Sequence, residues 1–209
     1  MLKLSKFEAE RAENIRYNEE LLNSNPRAMK NVTVGATNYD AVMTDQNKIA
    51  NKVFTLDGTS NIKAILNNGN FSSGTYTIMG AARYSGATRG RIISTNATNN
   101  WLLGHWSNST ENYYSEGWVS SVGAGTSDTN WRIYAGTVNT PNDFYEIYVN
   151  GTKTASGSGG AAGPNQLAIG AYGAETTTGE FGILLVYNRV LTETEIQTNF
   201  NALRGRFNI

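Results

Sequence analysis

The sequence predicts an all-β protein: an antiparallel β-sandwich with a helical arm at its N-terminus and a short helix at its C-terminus. Runs rich in aromatic and β-branched residues recur along most of the chain, as in WRIYAGTV from Trp131 and FYEIYV from Phe144, and such residues favour strands. Asn150-Gly151 follows the second run and is the strongest short-range signal for a tight hairpin turn. Turn-rich breaks separate the runs at the short spacing that is typical of sandwiches and barrels.

The first element is predicted to be a helix over residues 5–22. Ser5 and Glu8 have the spacing of a capping box, and Pro26 lies just past the end. A helix this short is marginal in water, so we expect it to pack on its own sandwich, on a sister subunit or on another protein; a frayed terminus without a role is the alternative. We therefore divide the chain into an N-terminal helical arm, residues 1–30, and a sandwich, residues 31–209. The candidate docking residues of the arm are Leu4, Phe7, Ile15 and Leu22.

The first predicted strand is a short one, and the main β region starts at Val53. The predicted strands are residues 31–34, 53–56, 62–66, 75–83, 91–95, 101–106, 113–120, 131–138, 144–149, 152–155, 166–170 and 180–187.

The last element is predicted to be a helix that lies flat against the sandwich. Thr192 and Glu195 form a capping box, and Gly205 stands where a C-terminal cap is expected. The residues that form its apolar face are Ile196, Phe200 and Leu203.

Composition excludes several classes of function. Lys plus Arg and Asp plus Glu number 17 each, so the formal net charge is zero, whereas nucleic-acid-binding proteins carry a broad basic face. The pairs Arg89 with Arg91 and Arg204 with Arg206 are short and typical of ordinary surface, so we expect no nucleic-acid partner. The sequence has no cysteine, which excludes disulfides and thiol nucleophiles.

The N-terminal segment predicts neither export nor membrane insertion. Its charges recur every few residues without an apolar core, unlike a secretory signal. No run approaches the roughly 18 apolar residues of a membrane span. We expect no membrane partner, and synthesis in a cytoplasm if Met1 is the true start.

The order of motifs resembles that of a known family. VFTLDGTSNIKA, TYTIMGAARY, RIIST, WRIYAGTV, FYEIYVNGTKTA, LAIGAYG and FGILLVYNRVLTETEI follow the succession found in concanavalin A-like jelly rolls, and among these the chain looks most like the laminin G-like branch. The resemblance covers residues 53 to about 203. It implies a jelly-roll sandwich, a fold that carries lectins, glycosidases, adhesion modules and viral coat appendages.

The sequence predicts no catalytic activity. The laminarinase-like and cellulase-like members of this superfamily carry acids at i, i+2 and i+4 of one strand, and this chain has no such strand. Glu146 stands alone in a hairpin strand. His105 is the only histidine, so a histidine-rich zinc site is excluded and a structural, hydrogen-bonding role is expected for it.

The stretch WLLGHWSNSTENYYSEGW, residues 101–118, predicts a carbohydrate-binding surface. Sugar CH faces pack on aromatic rings while sugar hydroxyls need polar partners such as amide and hydroxyl groups. The alternative is that alternate aromatic residues fill the core; Tyr113 and Tyr114 are adjacent, so they must point to opposite sides. The candidate glycan-binding residues are His105, Trp106, Tyr113, Tyr114 and Trp118.

No cofactor is predicted. Calcium occurs in lectin relatives, but Asp40, Asp45, Asp57, Asp128 and Asp143 are scattered and do not form a dense ligand loop. A calcium site is the weaker alternative.

Two functional hypotheses follow. The first is a non-enzymatic structural protein of a bacteriophage virion, such as a capsid decoration, collar or tail-associated protein, docked to other virion proteins through its arm. This hypothesis rests on analogy to the distribution of the family and leaves homo-oligomers open. The second is a soluble, lectin-like carbohydrate-binding module. The two can coexist, since a virion appendage can also adhere to host surface glycans.

Overall fold

The computed structural model describes residues 32–34, 37–38, 53–59, 63–66, 71, 73–96, 98–160 and 162–209. The predicted arm helix and its docking residues Leu4, Phe7, Ile15 and Leu22 lie outside the described residues, and the boundary between residues 30 and 31 stays a prediction.

Within the described residues the chain forms thirteen strands in two antiparallel sheets, as predicted. In chain order they are β1 (Val32–Val34), β2 (Thr37–Asn38), β3 (Phe54–Asp57), β4 (Lys63–Leu66), β5 (Thr75–Arg89), β6 (Ile93–Thr95), β7 (Trp101–Trp106), β8 (Ser109–Ser115), β9 (Arg132–Asn139), β10 (Phe144–Val149), β11 (Thr152–Gly157), β12 (Leu167–Gly170) and β13 (Thr177–Tyr187). A seven-stranded sheet has the order β2-β1-β4-β12-β6-β7-β8, and a six-stranded sheet has the order β11-β10-β9-β5-β13-β3.

Turn chemistry explains which strands the sequence located well. The β10–β11 hairpin turns at Asn150 and Gly151, whose φ angles of 51° and 80° are left-handed, as the Asn-Gly signal predicts. The β7–β8 hairpin turns at Ser107 and Asn108, with φ angles of 46° and 65°. This weaker signal was missed, so β8 starts and ends earlier than predicted and Trp118 lies beyond the strand.

The main core lies between the two sheets and is built from alternate residues of strands such as β5, β7, β9 and β10. Ile78, Tyr134 and Ile147 of the six-stranded sheet meet Trp101 and Leu103 of the seven-stranded sheet in one buried cluster. Burial of these side chains is the main stabilising term, at about 25 cal/mol per Å² of apolar surface.

The outer face of the six-stranded sheet is covered by the C-terminal helix α1 (Glu193–Leu203). Thr192 and Glu195 form the predicted capping box, and Ile196 and Phe200 are buried against the sheet. Gly205 is not the cap: it lies in a 3-10 turn, Arg204–Phe207, and the left-handed position falls on Asn208 at φ 55°. A buried Phe207 extends the contact with the sheet past the helix and so delays the turn.

His105 lies in the core between two tyrosine rings. Its ring centroid is 4.4 Å from that of Tyr84 and 5.3 Å from that of Tyr134, both edge to face. Neither ring nitrogen of this fully buried side chain has a hydrogen-bond partner within the protein. The structural role expected from the sequence is therefore packing between tyrosine rings and not a hydrogen bond to another residue. Burial lowers the pKa of His105 to about 3; the charge of Arg132 adds to the effect and that of Asp128 opposes it.

We expect His105 to make the protein less stable as the pH falls below about 6.5, the ordinary pKa of histidine. Below that pH the unfolded chain binds a proton that the folded protein accepts only near pH 3, so the free energy of unfolding decreases by about 1.4 kcal/mol per pH unit. Urea unfolding between about pH 6 and pH 5 avoids most carboxylate titration. His105→Phe should flatten the slope whatever its own cost in packing; an unchanged slope would contradict the assignment.

Candidate functional site

The structure separates the five predicted glycan-binding residues into two groups. His105 and Tyr113 are fully buried in the core, where no glycan can reach them, so their assignment to a binding surface is wrong. Trp106, Tyr114 and Trp118 are half-buried on the opposite side of the seven-stranded sheet. Neighbouring residues of a strand point to opposite faces. Alternation therefore separates His105 from Trp106 on β7 and Tyr113 from Tyr114 on β8. The expectation that Tyr113 and Tyr114 diverge is confirmed.

Trp106, Tyr114 and Trp118 form a contiguous aromatic patch. The ring centroids of Trp106 and Trp118 are 5.0 Å apart, and those of Tyr114 and Trp118 are 5.1 Å apart. Interplanar angles of 61° and 72° make both contacts edge to face, an arrangement that aromatic pairs favour. The rings therefore line a surface with several orientations instead of one flat platform.

A tight turn after β8 brings Trp118 into the patch. Glu116 has a left-handed φ of 56°, and the chain reverses so that Trp118 forms a β-bridge with Tyr114. The amide nitrogens of Val119 and Ser120 then donate to the carbonyl of Tyr113 at 3.0 and 3.3 Å.

Four polar or aromatic side chains form a rim beside the patch: Arg91, Asn100, Tyr172 and Glu175. The indole Nε1 of Trp106 donates to Oε1 of Glu175 at 3.0 Å, and Nε of Arg91 donates to the other oxygen of the same carboxylate. Nη1 of Arg91 also donates to Oδ1 of Asn100 at 2.7 Å. The guanidinium carbon of Arg91 lies 4.6 Å from the ring centroid of Tyr172, within the range of a cation–π contact.

Two turns hold the rim in place through backbone hydrogen bonds. The amides of Gly90 and Arg91 donate to the carbonyls of Thr176 and Glu175 at 2.8 and 3.1 Å. A Cβ atom at position 90 would lie 2.4 Å from the carbonyl carbon of Glu175, so only glycine allows the two turns to meet. The amide of Glu175 donates to the carbonyl of Tyr172 at 3.1 Å. This bond closes the turn between Tyr172 and Glu175.

The ion pair in the rim is unequally exposed: the Arg91 side chain is 5% exposed and that of Glu175 is 39% exposed. Burial lowers the pKa of Arg91, and the charge and hydrogen bond of Glu175 oppose that shift. The cation is thus held below the surface while the carboxylate faces solvent.

Sequence reasoning missed the rim because its members are far apart in the chain. Arg91 and Glu175 are separated by 84 positions. The sequence marked Arg91 only as one of a pair with Arg89, but Arg89 binds Ser127 and stacks on Tyr84. The two arginines therefore do not share a ligand.

Other acidic side chains have structural partners. The Glu146 carboxylate accepts from the hydroxyl of Tyr148 at 3.0 Å and from Nζ of Lys153 at 3.1 Å. Asp128 accepts from both terminal nitrogens of Arg132 at 2.7 Å. In the described part of the chain, no group of three or more His, Cys, Asp or Glu residues is arranged to hold a metal ion.

The fold and the patch define a lectin-like β-sandwich. The sequence matches the family described as the concanavalin A-like lectin/glucanases superfamily, of laminin G type, over residues 37–197, so the chain belongs to this family. No curated protein matches the sequence. The helix described here is too short to cross a membrane, and the described residues contain no other candidate span.

Solved structures share the fold at low sequence identity. The binding domain of Paraclostridial Mosquitocidal Protein 1 aligns with a TM-score of 0.56 and 17% identity over 72% of this chain and 43% of that one. The binding domain of botulinum neurotoxin serotype D gives 0.54 and 15% over 82% and 46%. That of serotype G gives 0.52 and 14% over 72% and 42%. The chain thus spans less than half the length of these structures.

We expect Glu175→Gln to lower the free energy of unfolding by about 1 kcal/mol, because the buried Arg91 loses its charge partner. The loss is no larger because Glu175 is partly exposed, and solvent screens its charge. Glu193→Gln is the matched control: Glu193 is 64% exposed and 3.9 Å from Nζ of Lys153. Its place in the first turn of α1 makes a smaller loss of about 0.5 kcal/mol the expected change. Urea denaturation at pH 7 measures both. Equal effects would contradict a stabilising role for the rim ion pair.

Proposed function

We propose that this protein is a non-enzymatic carbohydrate-binding module that holds glycans on the aromatic patch. The observation that carries the proposal is that three half-buried rings lie beside a solvent-facing carboxylate. Nε1 of Trp106 is 3.0 Å from Oε1 of Glu175. Sugars need such a combination, since their CH faces pack on rings and their hydroxyls hydrogen-bond to polar groups.

The rigidity of the patch supports binding. Trp118 is in edge-to-face contact with both other rings, and the indole of Trp106 is oriented by its bond to Glu175. Side chains that are already ordered lose less conformational entropy when a ligand binds. The membership of a lectin/glucanase superfamily and the fold shared with toxin binding domains are consistent with the proposal.

The absence of catalysis is also a proposal. Hydrolysis of a glycosidic bond uses two carboxyl groups about 5 to 10 Å apart, one on each side of the bond. Glu175 is held in an ion pair by Arg91, and Glu146 is bound by Lys153 and Tyr148. Neither is placed as the free acid of such a pair. Incubation with glycan substrates followed by analysis of reducing ends should show no release of product.

We expect Trp118→Ala and Trp106→Ala to weaken glycan binding at least about tenfold, because aromatic anchors dominate such surfaces. Trp118→Ala removes the central ring of the patch, and Trp106→Ala removes the ring that is bonded to Glu175. Glycan-array screening of the parent protein identifies ligands, and titration calorimetry on the best of them gives the affinities.

Trp131→Ala is the matched control for these variants. Trp131 is also half-buried, but it lies on the six-stranded sheet and packs against Phe207. Its loss should leave glycan affinity unchanged. Equal weakening in all three folded variants, or no glycan binding by the parent protein, would contradict the proposal.

A virion role is the second candidate function. It rests on the composition of the predicted arm, whose charges and helix-forming residues differ from those of the sandwich. A phage appendage with this sandwich at its surface would use the patch for adhesion to host glycans, with the arm binding other virion proteins or a sister copy.

The arm can be tested in the full chain. Replacing Phe7 and Ile15 by Asp should abolish docking, because a charge within an apolar contact is costly. Light scattering during gel filtration reports self-association, and co-sedimentation with particles from the native source reports virion docking. Glu8→Gln is a control on the same segment. An arm variant that assembles and co-sediments like the parent, or a parent that does neither, would refute the role.

A further inference from the structure

We propose that the aromatic patch and its rim select neutral glycans over anionic ones such as sialylated, sulfated or uronate-containing sugars. This inference rests on the proposed glycan binding and specifies the class of ligand. It follows from the signs and exposure of the charges around the patch.

The cation of the rim is not available to an anionic ligand. Arg91 donates to Glu175, to the side chain of Asn100 and to the carbonyl oxygen of Trp101, the last at 3.4 Å. One face of its guanidinium is covered by the Tyr172 ring at 4.6 Å. With 5% of its side chain exposed, Arg91 cannot present the open fork of donors that recognises a carboxylate or sulfate.

The groups that do face solvent are carboxylates. Glu175 is 39% exposed, and each oxygen already accepts one hydrogen bond. A carboxylate has about four acceptor positions, so acceptor capacity remains for sugar hydroxyls. Glu116, exposed in the turn between Tyr114 and Trp118, accepts from the amide of Asn100 through one oxygen.

Other cations in the described part of the structure have their own partners. Arg89 donates to the carbonyls of Gly86 and Ser127, and three more cations lie on strands of the six-stranded sheet. Arg83 pairs with Glu180, Arg132 with Asp128, and Lys153 with Glu146. Among the side chains whose contacts are described, Arg91 is the cation that touches the rim. A negatively charged sugar on the patch would therefore meet two exposed carboxylates without a compensating donor, and like charges disfavour binding.

The test uses the full chain and matched glycan pairs that differ only by one acidic group: a neutral oligosaccharide and its sialylated, sulfated or uronate form. We expect the neutral member to bind at least about tenfold tighter at low salt, with the difference shrinking as salt screens the carboxylates. Tighter binding of the anionic members would overturn this inference while supporting glycan binding. Binding of no glycan would overturn the proposed function and this inference with it.

Glu175→Gln probes the cause of the selectivity. The amide oxygen still accepts from Trp106, but Arg91 is left without its charge partner. The affinity for anionic members should rise several-fold relative to neutral ones, and the gain should be salt-sensitive. Glu116→Gln, in the exposed turn, should shift the ratio in the same direction, and it removes no direct partner of Arg91. The control Glu193→Gln, on α1, should leave the ratio unchanged. An unaltered ratio in both rim-side variants would overturn the assignment.

Discussion

Side-chain alternation in the seven-stranded sheet is the constraint on which both the core and the candidate site depend. Tyr113 of β8 is buried between the sheets, where its hydroxyl donates to the carbonyl of Thr137 at 2.8 Å. Because the side-chain period of a strand is two, burial of Tyr113 forces Tyr114 to the other face. A one-residue slip of β8 would exchange them and remove both a core residue and a patch residue. Core packing therefore determines which side chains form the aromatic patch.

The two sheets differ in what covers their outer faces. The outer side of the six-stranded sheet is closed by α1 and by Phe207, which pack on Met79, Ile133 and Tyr148. This coverage buries apolar area and stabilises the helix, which is too short to persist alone. The aromatic patch lies on the outer side of the seven-stranded sheet. The two outer faces therefore differ: α1 packs on one of them, and the other carries the aromatic patch.

The Arg91–Glu175 pair links the packing of two turns to the surface beside the aromatic patch. Burying a guanidinium is costly unless it is paired and hydrogen-bonded, and here it gains a carboxylate, an amide oxygen and an aromatic ring. The same contacts orient the carboxylate towards the indole of Trp106. The Glu175 carboxylate thus pairs with Arg91 in the turn before β6 and also makes the surface beside the patch polar.

The sequence alone determined the fold class and most strand positions, and its five candidate residues included the three rings of the patch. It did so where signals are local: Asn150-Gly151 marks its hairpin, the Thr192 capping box marks α1, and adjacent Tyr113 and Tyr114 must diverge. It could not decide which of the two tyrosines faces the core, because alternation specifies opposition and not direction. The burial of His105 and the rim of Arg91 and Glu175 depended on pairing between strands and turns distant in the chain. Only tertiary structure brings such residues together, since their contacts arise from packing that no local pattern encodes.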